Sequence, residues 1–303
     1  MKRSHVHPFA RRCFASSLCL LVAVTMQAAF SMPKPSASPP GSTDSARRAL
    51  RRSLCQLAGF CANTAAVRAE VTVTPGDVAP RNARQDEEFA KGMAFGMVDY
   101  ERAVSKKKRK LFGQLWGLLP PKPVIVEVGI GSFPNALYFG LKSAPHCMDI
   151  VGVDPNGFME PYALRNANKS GLLNPNRQNS LRFVKGVAEA LPLADNVADA
   201  VVCTLTLCSV SNPDHAVSEI RRILKPGGHY LFVEHVLSES SFMIATAQKL
   251  ATPDHVMSAD GCHFDRRTLK TIQEGGFSAV EGEYFELENC GFLNPTVAGI
   301  AIA

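Results

Sequence analysis

Between Val124 and Glu234 five short apolar runs alternate with longer stretches of mixed character, and this alternation limits the fold more than any other feature. The runs are Val124–Val128, Asp149–Val153, Leu181–Val184, Asp199–Cys203 and His229–Glu234. Strands of this kind are apolar on both faces, as in a parallel sheet covered by helices on each side. Helices are expected at about 134–143, 158–170 and 213–224. Ser278 to Leu287 and Gly291 to Ile302 are also strand-rich and are expected to pair antiparallel around Glu288-Asn289-Cys290. The expectation is an α/β fold: a doubly wound, mainly parallel sheet of seven strands with an antiparallel C-terminal hairpin.

Charge divides the chain. Residues 1–69 hold ten Lys/Arg and one acid, a net of +9, whereas residues 70–303 hold 23 basic and 26 acidic residues, a net of −3. A mildly acidic body has no basic face for nucleic acid. The basic start (Lys2, Arg3, Arg11, Arg12), the apolar run Leu18–Met26 and the small residues before Phe30 fit a signal segment. The Ser/Pro/Ala/Arg-rich, acid-poor stretch 31–69 has transit-peptide composition. Together they form a bipartite leader expected to address a plastid, with the stroma as destination. A plain secretory or mitochondrial leader, an endoplasmic reticulum anchor and a thylakoid signal around Arg51-Arg52 are the alternatives. The expected division is a leader over 1–69, a linker and helical region over 70–118, and a catalytic domain over 119–303.

Five of the nine cysteines fall in the body, scattered and without a CxxC pair, which suits free thiols. Cys262 and His263 are adjacent and diverge on any regular backbone, so no metal site is expected. Lys106 to Lys110 form a basic cluster next to Leu111, Phe112, Leu115 and Trp116. One reading is a solvated helical face beside a core stripe; the other is peripheral contact of 105–116 with an anionic membrane.

The first strand runs into Glu127-Val-Gly129-Ile-Gly131-Ser132. Glycines between a buried strand and a helix let backbone approach a ligand and aim N–H groups at it. The dinucleotide pattern GxGxxG fails, because its third glycine would fall at Pro134. The second strand ends at Asp154, where an acid can hold both hydroxyls of a ribose. A nucleoside-containing ligand without a pyrophosphate follows. Further marks are Gly186-Val-Ala-Glu189-Ala-Leu-Pro192, Thr204-Leu-Thr206-Leu-Cys208-Ser-Val210, and the turn Lys225-Pro226-Gly227-Gly228 after the last helix of the series.

These segments resemble class I S-adenosylmethionine-dependent methyltransferases. Ser105 to Phe112, Val201 to Val210, Pro226-Gly-Gly, Glu234-His-Val236 and Asp260-Gly-Cys262 resemble more narrowly the methyltransferase-like family of microsomal alkyl-thiol methyltransferases and their plant plastid relatives. The resemblance covers about 98–303 and implies a Rossmann-like sheet with S-adenosylmethionine as cofactor. Glu127, Gly129 and Gly131 would line the methionine end and Asp154 the ribose. Ala188 and Glu189 would sit at the adenine, Cys203 and Thr204 near the sulfonium. Phe133 stands where the family usually has a further glycine, and its ring would narrow the methionine pocket.

A small-molecule acceptor is implied. Holding donor and acceptor in line supplies on the order of 7–11 kcal/mol. A general base adds ~10²–10⁴-fold, about 3–5 kcal/mol. Candidate bases or orienters are His235, Asp260 and His263, while Cys208 and Cys262 fit small buried hydrophobes. The apolar residues of 236–262, with Phe242, Met243 and Met257, suit an apolar acceptor such as a thiol. Carbon or oxygen methylation of a lipid, quinone or pigment precursor is the first alternative. Cofactor binding without turnover is the second.

Overall fold

The computed structural model describes residues 81–303; the leader and residues 70–80 of the linker lie outside the described residues. The N-terminal region forms two helices, α1 (Ala83–Gly96) and α2 (Val98–Leu118). The alternating region follows: β1 (Val124–Val128), α3 (Ala136–Phe139), β2 (Asp149–Asp154), α4 (Glu160–Lys169), β3 (Ser180–Lys185), β4 (Ala198–Thr204), α5 (Pro213–Ile223) and β5 (Leu224–His235). The C-terminal part holds α6 (Phe242–Ser258), α7 (Thr268–Glu274), β6 (Ala279–Phe285) and β7 (Thr296–Ile302).

The seven strands form one sheet in the order β3-β2-β1-β4-β5-β7-β6. The first five pair in parallel, and β7 inserts antiparallel between β5 and β6. This is the expected mainly parallel sheet with its antiparallel hairpin. Every residue of β1 is buried, whereas at the two edges β3 is mostly half-buried and β6 is largely exposed. The alternation of side chains along β1 divides the core. Val124, Val126 and Val128 face a cluster with α5 and α7, while Ile125 faces a cluster with α2, α3 and α4.

Details depart from the sequence-based expectation. The helix expected at 134–143 shrinks to one turn, α3. β5 begins at Leu224, so the Pro226-Gly227-Gly228 turn lies within its irregular start, where Gly227 takes φ +74° and its N–H bonds to Ala303 O. α6 and α7 were not anticipated. α6 is inverted: Gln248 and Thr252 are buried, while Phe242, Met243, Leu250 and Met257 are exposed. The Gln248 amide explains this. Its oxygen accepts from Ser238 N, and its nitrogen donates to the carbonyls of Val236, Phe292 and Asn294. An amphipathic period cannot reveal a helix anchored by one buried amide.

In α2, Leu111, Phe112, Leu115 and Trp116 are buried against the sheet. Lys108 is buried among them, its Nζ 2.8 Å from Glu101 Oε1. Lys106, Arg109 and Lys110 are exposed on the outer side. The apolar stripe is therefore core.

Phe133 also departs from expectation. Its backbone takes φ +58°, the left-handed region a glycine would favour, but its side chain is fully buried. The ring packs 5.3 Å from that of Phe139, edge to face, in the cluster beneath α2. It fills core rather than a ligand pocket. Phe133→Ala is expected to cost about 3–5 kcal/mol of stability. Phe133→Gly is expected to cost about 1 kcal/mol less, because it relieves the left-handed backbone. Urea unfolding of the three proteins measures both; equal stability of all three would place the ring outside the core.

Candidate active site

The loop after β1 is shaped by its glycines and by two carboxylates. Gly129 takes φ +68°, and a Cβ there would fall 2.1 Å from Thr206 Oγ1. Glycine thus lets the loops after β1 and β4 touch. Gly131 takes φ +51°, and a Cβ there would stand 4.0 Å from Gly129 O, without a clash. Gly131 N donates to Asp154 Oδ2 and Asn156 N to Asp154 Oδ1, each at 2.9 Å. Burial nevertheless outweighs these bonds and pushes the Asp154 carboxyl up to about 6.

Glu127 is buried near the end of β1, and burial pushes its carboxyl up to about 8. Asn135 Nδ2 donates to Glu127 Oε1 and to Thr204 Oγ1, each at 2.9 Å. Asn135 thereby ties β1 to the end of β4. Sequence reasoning did not single it out, since an Asn before a helix reads as a cap. Among the described residues, Glu127 Oε2 and Asn135 Oδ1 are buried without a hydrogen-bond partner.

The other expected contacts have mixed placements. Ala188 is buried within the core cluster. Glu189 Oε1 accepts from Ser211 N (2.6 Å) and Asn212 N (3.1 Å), joining the loop after β3 to the start of α5. Cys203 is fully buried, and burial raises its thiol well above the usual range. Only Thr204, through Asn135, shares the polar network at Glu127.

Glu234, part of the family-like Glu234-His-Val236 run but given no role from sequence, has a large one. Its carboxylate is buried and accepts from Thr206 N (2.9 Å), Leu207 N (3.1 Å) and Cys208 N (3.3 Å). Arg266 grips the same loop from the other side, donating to the carbonyls of Leu207 and Val210. The loop after β4 is thus held at its N–H groups by an anion and at its carbonyls by a cation.

The candidate bases have different uses. Asp260 takes φ +51°, and both its oxygens accept from Arg81 Nη2 at 3.0–3.1 Å. Arg81 also bonds Asp86 at the start of α1, whose carbonyl accepts from Asn156 Nδ2. Asp260 therefore ties α1 across the end of β2 and is not poised as a base. His263 is half-buried, with Nδ1 3.5 Å from Asp265. His235 is buried, its Nε2 3.1 Å from Cys262 Sγ. The Cys208 thiol is raised well above its usual range by its contact with Cys262 and by burial.

Glu234→Ala would leave three N–H groups without their acceptor and is expected to cost about 3 kcal/mol. Glu234→Gln, which keeps an acceptor oxygen, is expected to cost less. Urea midpoints give the costs. Hydrogen exchange at Thr206 and Leu207 should accelerate in the Ala variant, and unchanged exchange would refute the role.

A family profile described as "Methyltransferase domain" matches residues 126–232. The human thiol S-methyltransferase TMT1A is 30% identical over 209 residues, 68% of this chain and 82% of that protein. The rat thiol S-methyltransferase TMT1B is 34% identical over 186 residues, 60% of this chain and 72% of that protein. Among solved structures, the Haloferax volcanii complex of the Trm112 activator with a putative methyltransferase aligns with a TM-score of 0.53 at 18% identity, covering 74% of this chain and 99% of that one. A Haemonchus contortus phosphoethanolamine N-methyltransferase solved with S-adenosylhomocysteine aligns at 0.52 and 13% identity, covering 74% and 60%. These two likenesses concern the fold alone. With glycines at 129 and 131, a carboxylate ending β2, and relatedness across four-fifths of TMT1A, the chain belongs to the class I S-adenosylmethionine-dependent methyltransferases, in the family of the thiol S-methyltransferases TMT1A and TMT1B.

Proposed function

We propose that this methyltransferase acts on the sulfur of a small apolar thiol. The residues fit S-adenosylmethionine. Glu127 Oε2 and Asn135 Oδ1 are buried acceptors without partners, suited to the ammonium of its methionine part. The glycine loop at 129–131 would take the chain of that part, and Asp154 would take the ribose hydroxyls. Bound there, S-adenosylmethionine supplies a methyl group already activated on a sulfonium. The protein's own contribution is to place the acceptor, since orientation outweighs base strength in such a displacement.

The observation that carries the thiol reading is the engagement of the candidate bases. Asp260 has both oxygens on Arg81, and His235 Nε2 is closed against Cys262. A thiol of pKa ~8.5 ionises at pH 7 for about 2 kcal/mol, whereas a phenol of pKa ~10 needs about 4. With Asp260 and His235 Nε2 both engaged, the site favours sulfur, the acceptor that needs least help to ionise. The exposed Phe242, Met243 and Met257 of α6 suit an apolar acceptor, and kinship with TMT1A and TMT1B supports the same choice. The leader composition supports delivery to the plastid stroma as part of this proposal.

Two measurements test it. Purified protein with methyl-labelled cofactor should label alkyl and aryl thiols in preference to phenols and quinone precursors. Labelling of phenols or quinone precursors alone would overturn the choice of sulfur, and no labelling of any acceptor would leave a binding protein. Second, Asp154 must be ionised to accept from a ribose. With its carboxyl raised to about 6, affinity for S-adenosylhomocysteine should fall below that pH by about tenfold per unit beyond what the titration of Glu127 alone gives. Calorimetry should find Asp154→Asn weaker at neutral pH and lacking this extra fall below pH 6. An Asn variant that keeps the extra fall would exclude Asp154 as the group responsible.

A further inference from the structure

We infer that Cys208, His235 and Cys262 form a binding site for a thiophilic cation, zinc fitting it best. The inference does not depend on the identity of the acceptor. The three residues come from separate segments: the loop after β4, the last residue of β5 and the loop after α6. Their candidate ligand atoms nevertheless all lie within 4.8 Å of one another. His235 Nε2 is 3.1 Å from Cys262 Sγ. Zinc bond lengths of about 2.3 Å to sulfur and 2.0 Å to nitrogen, at tetrahedral angles, require roughly 3.6 Å from N to S and about 3.8 Å from S to S. Small side-chain shifts reach those values.

The surrounding structure builds the cluster. Glu234 holds Cys208 N, and Cys208 O accepts from His263 N at 2.9 Å. Gly261 approaches so closely that a Cβ there would stand 2.8 Å from Ser209 O. The two cysteine loops are thus locked together, and their thiols converge on His235. The imidazole turns Nε2, the nitrogen that would bind the cation, toward these sulfurs.

The chemistry of the set selects the cation. Two sulfurs and one imidazole prefer zinc or copper(I) to magnesium or calcium. Two thiolates neutralise a divalent ion. Cys208 and His235 are buried and Cys262 is half-buried. Three protein ligands leave one coordination position for a further ligand, the pattern of catalytic rather than structural zinc.

The test uses the full chain, reduced and stripped with a chelator. Cobalt(II) should then give a thiolate-to-metal charge-transfer band, and zinc should abolish it by displacement. Cys262→Ser and Cys208→Ser should each weaken cobalt binding by about 100-fold or more. Cys290→Ser, a half-buried thiol outside the cluster, should bind as the parent does. Thermal melts establish that the variants fold. On the unmodified protein, zinc should protect Cys208 and Cys262 from alkylation as read by mass spectrometry, which needs no variant. The inference is overturned if no band forms, if the band survives both cluster substitutions, if zinc leaves the alkylation of these two thiols unchanged, or if the native protein carries a Cys208–Cys262 disulfide.

Discussion

Buried carboxylates near the C-terminal ends of strands hold this molecule's working face together. Glu127 near the end of β1, Asp154 at the end of β2 and Glu234 near the end of β5 each accept hydrogen bonds from a loop that leaves the sheet or from a side chain anchored in one. In a parallel sheet all loops at this edge depart in the same direction, and their backbone N–H groups need acceptors. Acids supply them where the sheet's own carbonyls run out. Asp154 fixes the glycine loop, Asn135 links Glu127 to β4, and Glu234 fixes the loop that carries Thr206 and Cys208.

This arrangement has a cost that is also its use. Burial raises all three carboxyls above their ordinary range, because low dielectric disfavours the charged form. Glu234 offsets the penalty with three backbone N–H donors. Glu127 does so only in part, since one oxygen has no partner, and Asp154 is left titrating near 6. The acids with uncompensated burial are those proposed to meet the ammonium and the ribose hydroxyls of the cofactor. The acid with compensated burial is the one whose task is to hold a loop.

Phe133 shows how a departure from a family pattern is absorbed. A bulky residue at φ +58° is strained by about 1–2 kcal/mol, which burial of the ring against Phe139 more than offsets. The backbone keeps the conformation a glycine would have taken. α6 is the complementary case. One buried amide, Gln248, anchors it, so its apolar side chains are free to face outward.

The sheet was legible because five apolar runs, a Gly-x-Gly and a terminal Asp are local signals, each confined to a few residues. Strand identities, α5 and the C-terminal pairing followed from periodicity and turn chemistry, which act over one or two turns of chain. Asn135, Glu234 and Arg266 were not legible as site residues, because their roles depend on which loop lies opposite. The meeting of Cys208, His235 and Cys262 was equally hidden, since each neighbour in that cluster is 27 residues from the next along the chain. The amino-acid order by itself determined the α/β sheet and the chemistry available at its edge. Only tertiary packing decided which of those groups touch, because hydrogen bonds and ligand sets depend on distance in space, which a local pattern does not encode.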